Sequence, residues 1–170
     1  MILYRFGSDA LRPADEEFNG QGGVLAPGRW SLVGRPCVYA STCEPLALLE
    51  KLVHFAGLRR PAYSLYIADV PDNLIEDLPA ASLPPDWRSI YPPASTQQLG
   101  SNWLASKSAA GLLLPSVLIS GADPTIKNCL LNPEHPGYAH AKFSGPIPLA
   151  IDRSIPGSSV TLHEIGRLGE

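Results

Sequence analysis

Cysteine is scarce, no long apolar run is present and the charge has no basic surplus; each of these absences removes a class of protein. The three cysteines, Cys37, Cys43 and Cys129, are odd in number and no two form a C-x-x-C pair. That pattern supports neither a disulfide framework nor a zinc knuckle, and it fits reduced thiols in a cytoplasmic protein. The most apolar stretch, LLLPSVLI, is too short to span a bilayer, and the start has no basic region ahead of a long apolar run. No signal for export and no membrane partner are expected. With 13 basic and 16 acidic residues the net charge is −3, whereas proteins that bind nucleic acid directly carry a basic surplus. Direct binding of nucleic acid is therefore not expected. The four histidines, His54, His135, His140 and His163, are too scattered for ligand spacing, so no metal is assigned.

What is present describes a folded domain. A chain of 170 residues with 45% hydrophobic and 17% charged residues fits one globule with its own core. Its 18 prolines and 15 glycines forbid long helices, so short strands and many turns should dominate. Apolar patterning predicts strands at residues 2–6, 63–70, 112–119, 128–131 and 146–151. Residues 7–28, rich in glycine, read as a long irregular loop, and 29–32 with 37–40 read as a hairpin around Val33-Gly34-Arg35-Pro36. Ser41 or Thr42 can cap a helix through LALLEKLVHF to about Ala56, where Gly57 ends it. A second helix starts near Ser95 or Thr96 and runs to about Ala110, after a proline-dense loop over 78–93. The pattern is α+β in one domain, 1–155, with 156–170 as a final strand or tail of the same domain.

The chemistry concentrates in GGVLAPGRW, VYAS and ALLEKLVH, which place Arg29, Tyr39 and Glu50 at separations of ten and eleven residues. Two short strands and the helix after them can bring all three side chains to one cleft without a long connection. His54, four residues beyond Glu50, shares its helical face and reads either as a partner or as simple packing. On periodicity alone Glu50 reads first as part of the one polar surface stripe with Lys51, and Ser116 first as an edge-strand hydroxyl.

These segments, with LYRF, Trp87-Arg88, TQQLGSNWL, LPSVLIS and CLLNPEHPGY, carry a resemblance to the RES-domain proteins, named for an arginine, a glutamate and a serine. It runs to about Asp152, nearly the whole chain. The resemblance implies an ADP-ribosyltransferase-like fold, with short strands in a split sheet core and a few flanking helices. It implies a toxin of a type II toxin–antitoxin pair, blocked by a cognate antitoxin with an Xre-like DNA-binding region. It also implies NAD+ as the substrate, consumed by hydrolysis, by phosphorolysis or by transfer of ADP-ribose to a protein. The named residues fall on Arg29, Glu50 and Ser116, with Tyr39 and Arg5 at further pocket positions, and none of the five departs from the pattern.

The chemistry suits them. Nicotinamide leaves NAD+ as a neutral molecule and needs no acid, so the enzyme must stabilise an oxocarbenium-like ribose; a carboxylate such as Glu50 does this. Tyr39 is expected to stack on the nicotinamide, and Arg5 and Arg29 to grip the diphosphate or an adjacent ribose. Ser116 is expected to orient Glu50 or the nicotinamide amide. The alternative is a non-catalytic protein that binds the antitoxin. A ribonuclease would need a basic cleft, against which the acidic balance argues.

Overall fold

The computed structural model describes residues 1–7, 12–53, 63–119 and 123–149. Along them the chain forms β1 (Ile2–Gly7), the short helices α1 (Ala14–Glu17) and α2 (Gln21–Leu25), β2 (Val38–Ser41), α3 (Glu44–Val53), β3 (Tyr63–Asp69) and β4 (Ile75–Asp77). There follow α4 (Ala94–Ser106), β5 (Gly111–Leu114), β6 (Asn128–Leu131) and β7 (Lys142–Leu149). The architecture is α+β, built on a seven-stranded sheet of order β4-β5-β6-β2-β1-β3-β7. All neighbours are antiparallel except β4 and β5.

The sheet is nearly divided at its centre. β1 follows β3 over six positions and β2 follows β6 over four, but β1 and β2 meet at the single pair Tyr4↔Ser41. At the split the carbonyl of Tyr39 accepts from Arg5 Nη1 at 2.8 Å, so a side chain supplies what a longer ladder would have. The split-sheet core implied by the resemblance is thus present as two halves, β4-β5-β6-β2 and β1-β3-β7, joined at one point.

Period-two alternation assigns the two faces. One face carries Leu3, Val38, Ala40, Ala68, Cys129 and Leu131, covered by Phe18 and Tyr138. The other face carries two separate clusters. Leu112, Leu114 and Leu130 pack with Trp30 and with Leu104 of α4, while Phe6, Tyr63 and Leu65 pack with Ala47 of α3. Register puts Tyr39, Ser41 and Asn128 on this second face, on the strands that lie between the clusters. The alternation therefore sets three polar side chains side by side on that face.

Several expectations need correction. Residues 29–32 form no strand and no hairpin: only an isolated bridge, Gly28↔Ser31, stands ahead of β2. The N–H groups of Trp30 and Leu32 go to side chains of Tyr39 and α4, and the Arg29 carbonyl to a third, so the alternate donors a ladder would use are taken. The expected loop over 7–28 contains α1 and α2, and the acidic run Asp15-Glu16-Glu17 after Pro13 suits a helix N-terminus. β5 stops at Leu114 because Pro115 has no N–H to continue the ladder. β4 was not foreseen, and α4 closes at Lys107 with φ 53 rather than near Ala110. β7 starts at Lys142 and tolerates Pro146 and Pro148 as an edge strand. The expected helix end near Ala56, His54, the end of the last strand and the segment 156–170 lie outside the described residues. Among the described residues no helix is long and apolar enough to cross a membrane.

Candidate active site

Glu50 is not on a surface stripe. Leu46 and Ala47 are the buried residues of α3, and Glu50 lies four and three positions beyond them, on the same face toward the sheet. There its Oε1 accepts from Ser116 Oγ at 2.8 Å and from Asn128 Nδ2 at 2.5 Å. Ser116 is buried just past the end of β5, and its hydroxyl also accepts from the backbone N–H of Leu118 at 3.0 Å. Behind Asn128, Ser41 Oγ donates to Oδ1 at 2.8 Å, and the two residues are direct partners in the β2–β6 ladder. The ends of three strands and one helix therefore converge on a half-buried carboxylate.

Tyr39 and Arg29 shape the neighbouring wall. The Tyr39 hydroxyl accepts from the N–H of Trp30 at 2.9 Å and shares a hydrogen with Ser31 Oγ at 3.0 Å. Burial pushes the Tyr39 phenol well above its ordinary range, so it is a protonated hydroxyl throughout the neutral range. Gly28 lies against the ring: a Cβ there would stand 2.4 Å from Oη and 2.7 Å from Cζ, which only glycine avoids. Arg29 directs Nη1 to the carbonyls of Trp87 and Ser89, at 3.0 and 2.9 Å, and Nη2 to that of Ile90 at 3.2 Å. It fastens the proline-dense loop to the site. Tyr39→Phe keeps the ring but strands the buried N–H of Trp30, an expected cost of about 1–3 kcal/mol. A chemical denaturation midpoint equal to that of the wild type would show the bond to be dispensable.

Arg5 belongs to a third group. By alternation it lies on the opposite sheet face, and at the split its Nε donates to Glu17 Oε1 at 2.8 Å. Arg12 Nη1 lies 3.6 Å from the other oxygen of Glu17, which is buried. Lys51, next to Glu50, joins this group. Burial first and then the charges of Arg5 and Arg12 hold its ammonium below the usual lysine range, while Glu17 works the other way. Two guanidinium groups thus share one carboxylate, with the Lys51 ammonium within reach of their charges. Two of the three thiols are poorly suited as nucleophiles, since both are buried: burial pushes Cys129 up to about 12 and raises Cys37 as well. Among the described residues no three His, Cys, Asp or Glu side chains gather as a metal site requires.

The structure joins Glu50 directly to Ser116, and Arg5 to the backbone of Tyr39, while Arg29 and Tyr39 meet through the segment between them. Sequence reasoning misses Asn128, which reads as an ordinary strand-opening residue, and Glu17, which stands in a stretch that reads as a loop. It also read the TQQLG run only as a helix start. In α4, Thr96 Oγ1 donates to the carbonyl of Arg29 at 2.7 Å, Gln97 Nε2 to that of Gly28 at 3.0 Å, and Ser101 Oγ accepts from Leu32 N–H at 2.8 Å. The available signal was the small and polar series at 96, 97, 100 and 101, where an apolar stripe would be usual.

The RES domain profile matches residues 2–152. A protein named Toxin Res from Photorhabdus laumondii is 36% identical over 134 residues, covering 78% of this chain and 82% of that protein. A Toxin Res from Yersinia enterocolitica is 34% identical over 154 residues, covering 89% and 97%. A protein named Prs ADP-ribosylating toxin from Sphingobium sp. is 34% identical over 139 residues, covering 79% and 83%. With the profile spanning almost all of its length, the chain belongs to the RES domain family.

Proposed function

We propose that this chain is the toxin of a toxin–antitoxin pair and that it consumes NAD+ by breaking the nicotinamide–ribose bond. The observation that carries this reading is the Glu50 carboxylate, anchored through one oxygen by Ser116 at 2.8 Å beside Asn128 and Ser41. The C1′–N bond breaks with its electron pair going to the pyridinium nitrogen, and nicotinamide departs neutral. Glu50 meets the positive charge that develops on the ribose, an interaction stronger in the transition state than in the ground state. An acceptor hydroxyl, amine, carboxylate, guanidinium or phosphate oxygen then bonds to C1′, losing its proton where it carries one.

The other groups suit binding. Arg5 and Arg12 outnumber the carboxylate of Glu17 that they share, so an added diphosphate would balance their charge. Tyr39 and Arg29 act here through the segment and loop they hold, which shape the wall toward the nicotinamide; Ser116 orients Glu50. The Sphingobium relative's name, an ADP-ribosylating toxin, supports transfer to a protein, with water and phosphate as the other acceptors. The relatives named toxins support a cognate antitoxin that covers the pocket, since free turnover would drain the NAD+ of the cytoplasm where the protein acts.

The test is mass spectrometry of NAD+ incubated with purified protein, without phosphate, with phosphate, and with cell lysate. Free nicotinamide is expected in at least one arm. Its partner product identifies the acceptor: ADP-ribose for water, the 1″-phosphate for phosphate, a modified protein band for transfer. NAD+ intact in all arms, with the protein folded and free of antitoxin, would overturn the enzyme reading in favour of a non-catalytic antitoxin-binding protein.

A further inference from the structure

We propose that Asn128 is a positioning residue for Glu50, with Ser41 fixing it from behind. This inference rests on the NAD+-cleaving reading above and deepens it. An ionised carboxylate only accepts hydrogen bonds, so the group that Asn128 presents to Glu50 is its amide nitrogen, at 2.5 Å. Its carbonyl oxygen then faces Ser41, whose hydroxyl is obliged to donate, at 2.8 Å. The result is a one-way series, Ser41 to Asn128 to Glu50, with a single arrangement of donors.

The series is rigid for structural reasons. Asn128 opens β6, the strand between β2 and β5, paired with Ser41 on one side and Leu114 on the other. Ser41 is buried, at 2% exposure, so no water competes for its hydroxyl. Ser116, two residues past Leu114, places its own donor on the same Glu50 oxygen. Both donors fall on Oε1, while Oε2 receives no hydrogen bond from the described residues. Rotating the carboxylate would break two bonds at once. Oε1 is therefore the anchored oxygen and Oε2 the one offered to the ribose. Of the two anchors, Asn128 is the one that the arginine, glutamate and serine pattern does not name.

Steady-state nicotinamide release by Asn128→Asp and Asn128→Ala tests this. The aspartate is the same size and still accepts from Ser41, but it sets a carboxylate against Glu50. We expect kcat to fall roughly 100-fold for Asn128→Asp and at least about 10-fold for Asn128→Ala, as for a displaced catalytic group. KM for NAD+ should stay within about threefold, because the diphosphate contacts are elsewhere. Ser41→Ala, which frees the amide to turn over, should give a smaller fall in kcat of the same kind. In a Glu50→Gln background, Asn128→Ala should cost little further, since its effect passes through Glu50. Wild-type kcat per folded molecule in the Asn128 and Ser41 variants, or equal losses with and without Glu50, would overturn the positioning role alone. A wild-type protein that releases no nicotinamide would instead overturn the NAD+ reading, and this inference with it.

Discussion

Glu50→Gln is expected to lower nicotinamide release by roughly 10³-fold, about 4 kcal/mol of transition-state stabilisation, with the fold and NAD+ binding preserved. Glutamine is the informative replacement. Its carbonyl oxygen can still accept from Ser116 and Asn128, so the two anchors keep their partner and no buried donor is stranded. What changes is the other end of the group, where an anionic acceptor becomes an amide donor. A neutral donor offers nothing to a developing cation on the ribose. Alanine would mix that effect with the cost of two orphaned donors. The measurement is nicotinamide formed per folded molecule, alongside NAD+ affinity by calorimetry and a denaturation midpoint. Wild-type turnover with Glu50→Gln would remove the carboxylate from the mechanism, and a collapse of the midpoint would show that Glu50 serves the fold instead.

Much of the scaffold was legible because it obeys period-two and period-3.6 rules. Residues 128–131 appear as β6 with the expected bounds, and β1, β3, α3 and α4 start within a residue or so of their expected places. The failures share a cause. At 29–32 the residues have strand propensity, but their backbone is held by Tyr39, Thr96 and Ser101, and that of Gly28 just before them by Gln97, contacts that no local pattern announces. Propensity yields there to tertiary hydrogen bonding.

The candidate site divides in the same way. The spacing of Arg29, Tyr39 and Glu50 points to one region, yet Arg29 spends its guanidinium on backbone carbonyls of the loop at 87–90, which composition cannot reveal. Asn128 was invisible because an asparagine opening a strand looks like turn chemistry. Its significance depends on register: only when β6 lies beside β2 does it stand between Ser41 and Glu50.

The same dependence on tertiary contact makes Gly100→Ala a severe substitution where helix propensity alone predicts a gain. In the interior of α4 the change should stabilise by about 1 kcal/mol. A Cβ at this position, however, would stand 1.9 Å from the carbonyl oxygen of Trp30 and 2.8 Å from its carbonyl carbon. The obstacle is backbone, and it has nowhere to go. Trp30 is buried to 2% exposure, its N–H is bound to Tyr39, and the carbonyls of Gly28 and Arg29 before it are tied to Gln97 and Thr96. The helix must move away from the sheet, or the 28–32 segment must leave Tyr39. We expect a net loss of about 3 kcal/mol or more, together with loss of nicotinamide release as the site wall shifts. Gly22→Ala, in α2, is the control, because a Cβ there meets nothing within 4 Å and the change should be neutral or stabilise by up to about 1 kcal/mol. Denaturation curves for the pair separate the two forces. If Gly100→Ala proved as stable as the wild type, α4 would not be clamped on the Arg29 segment, and the wall of the site would have to be built in some other way.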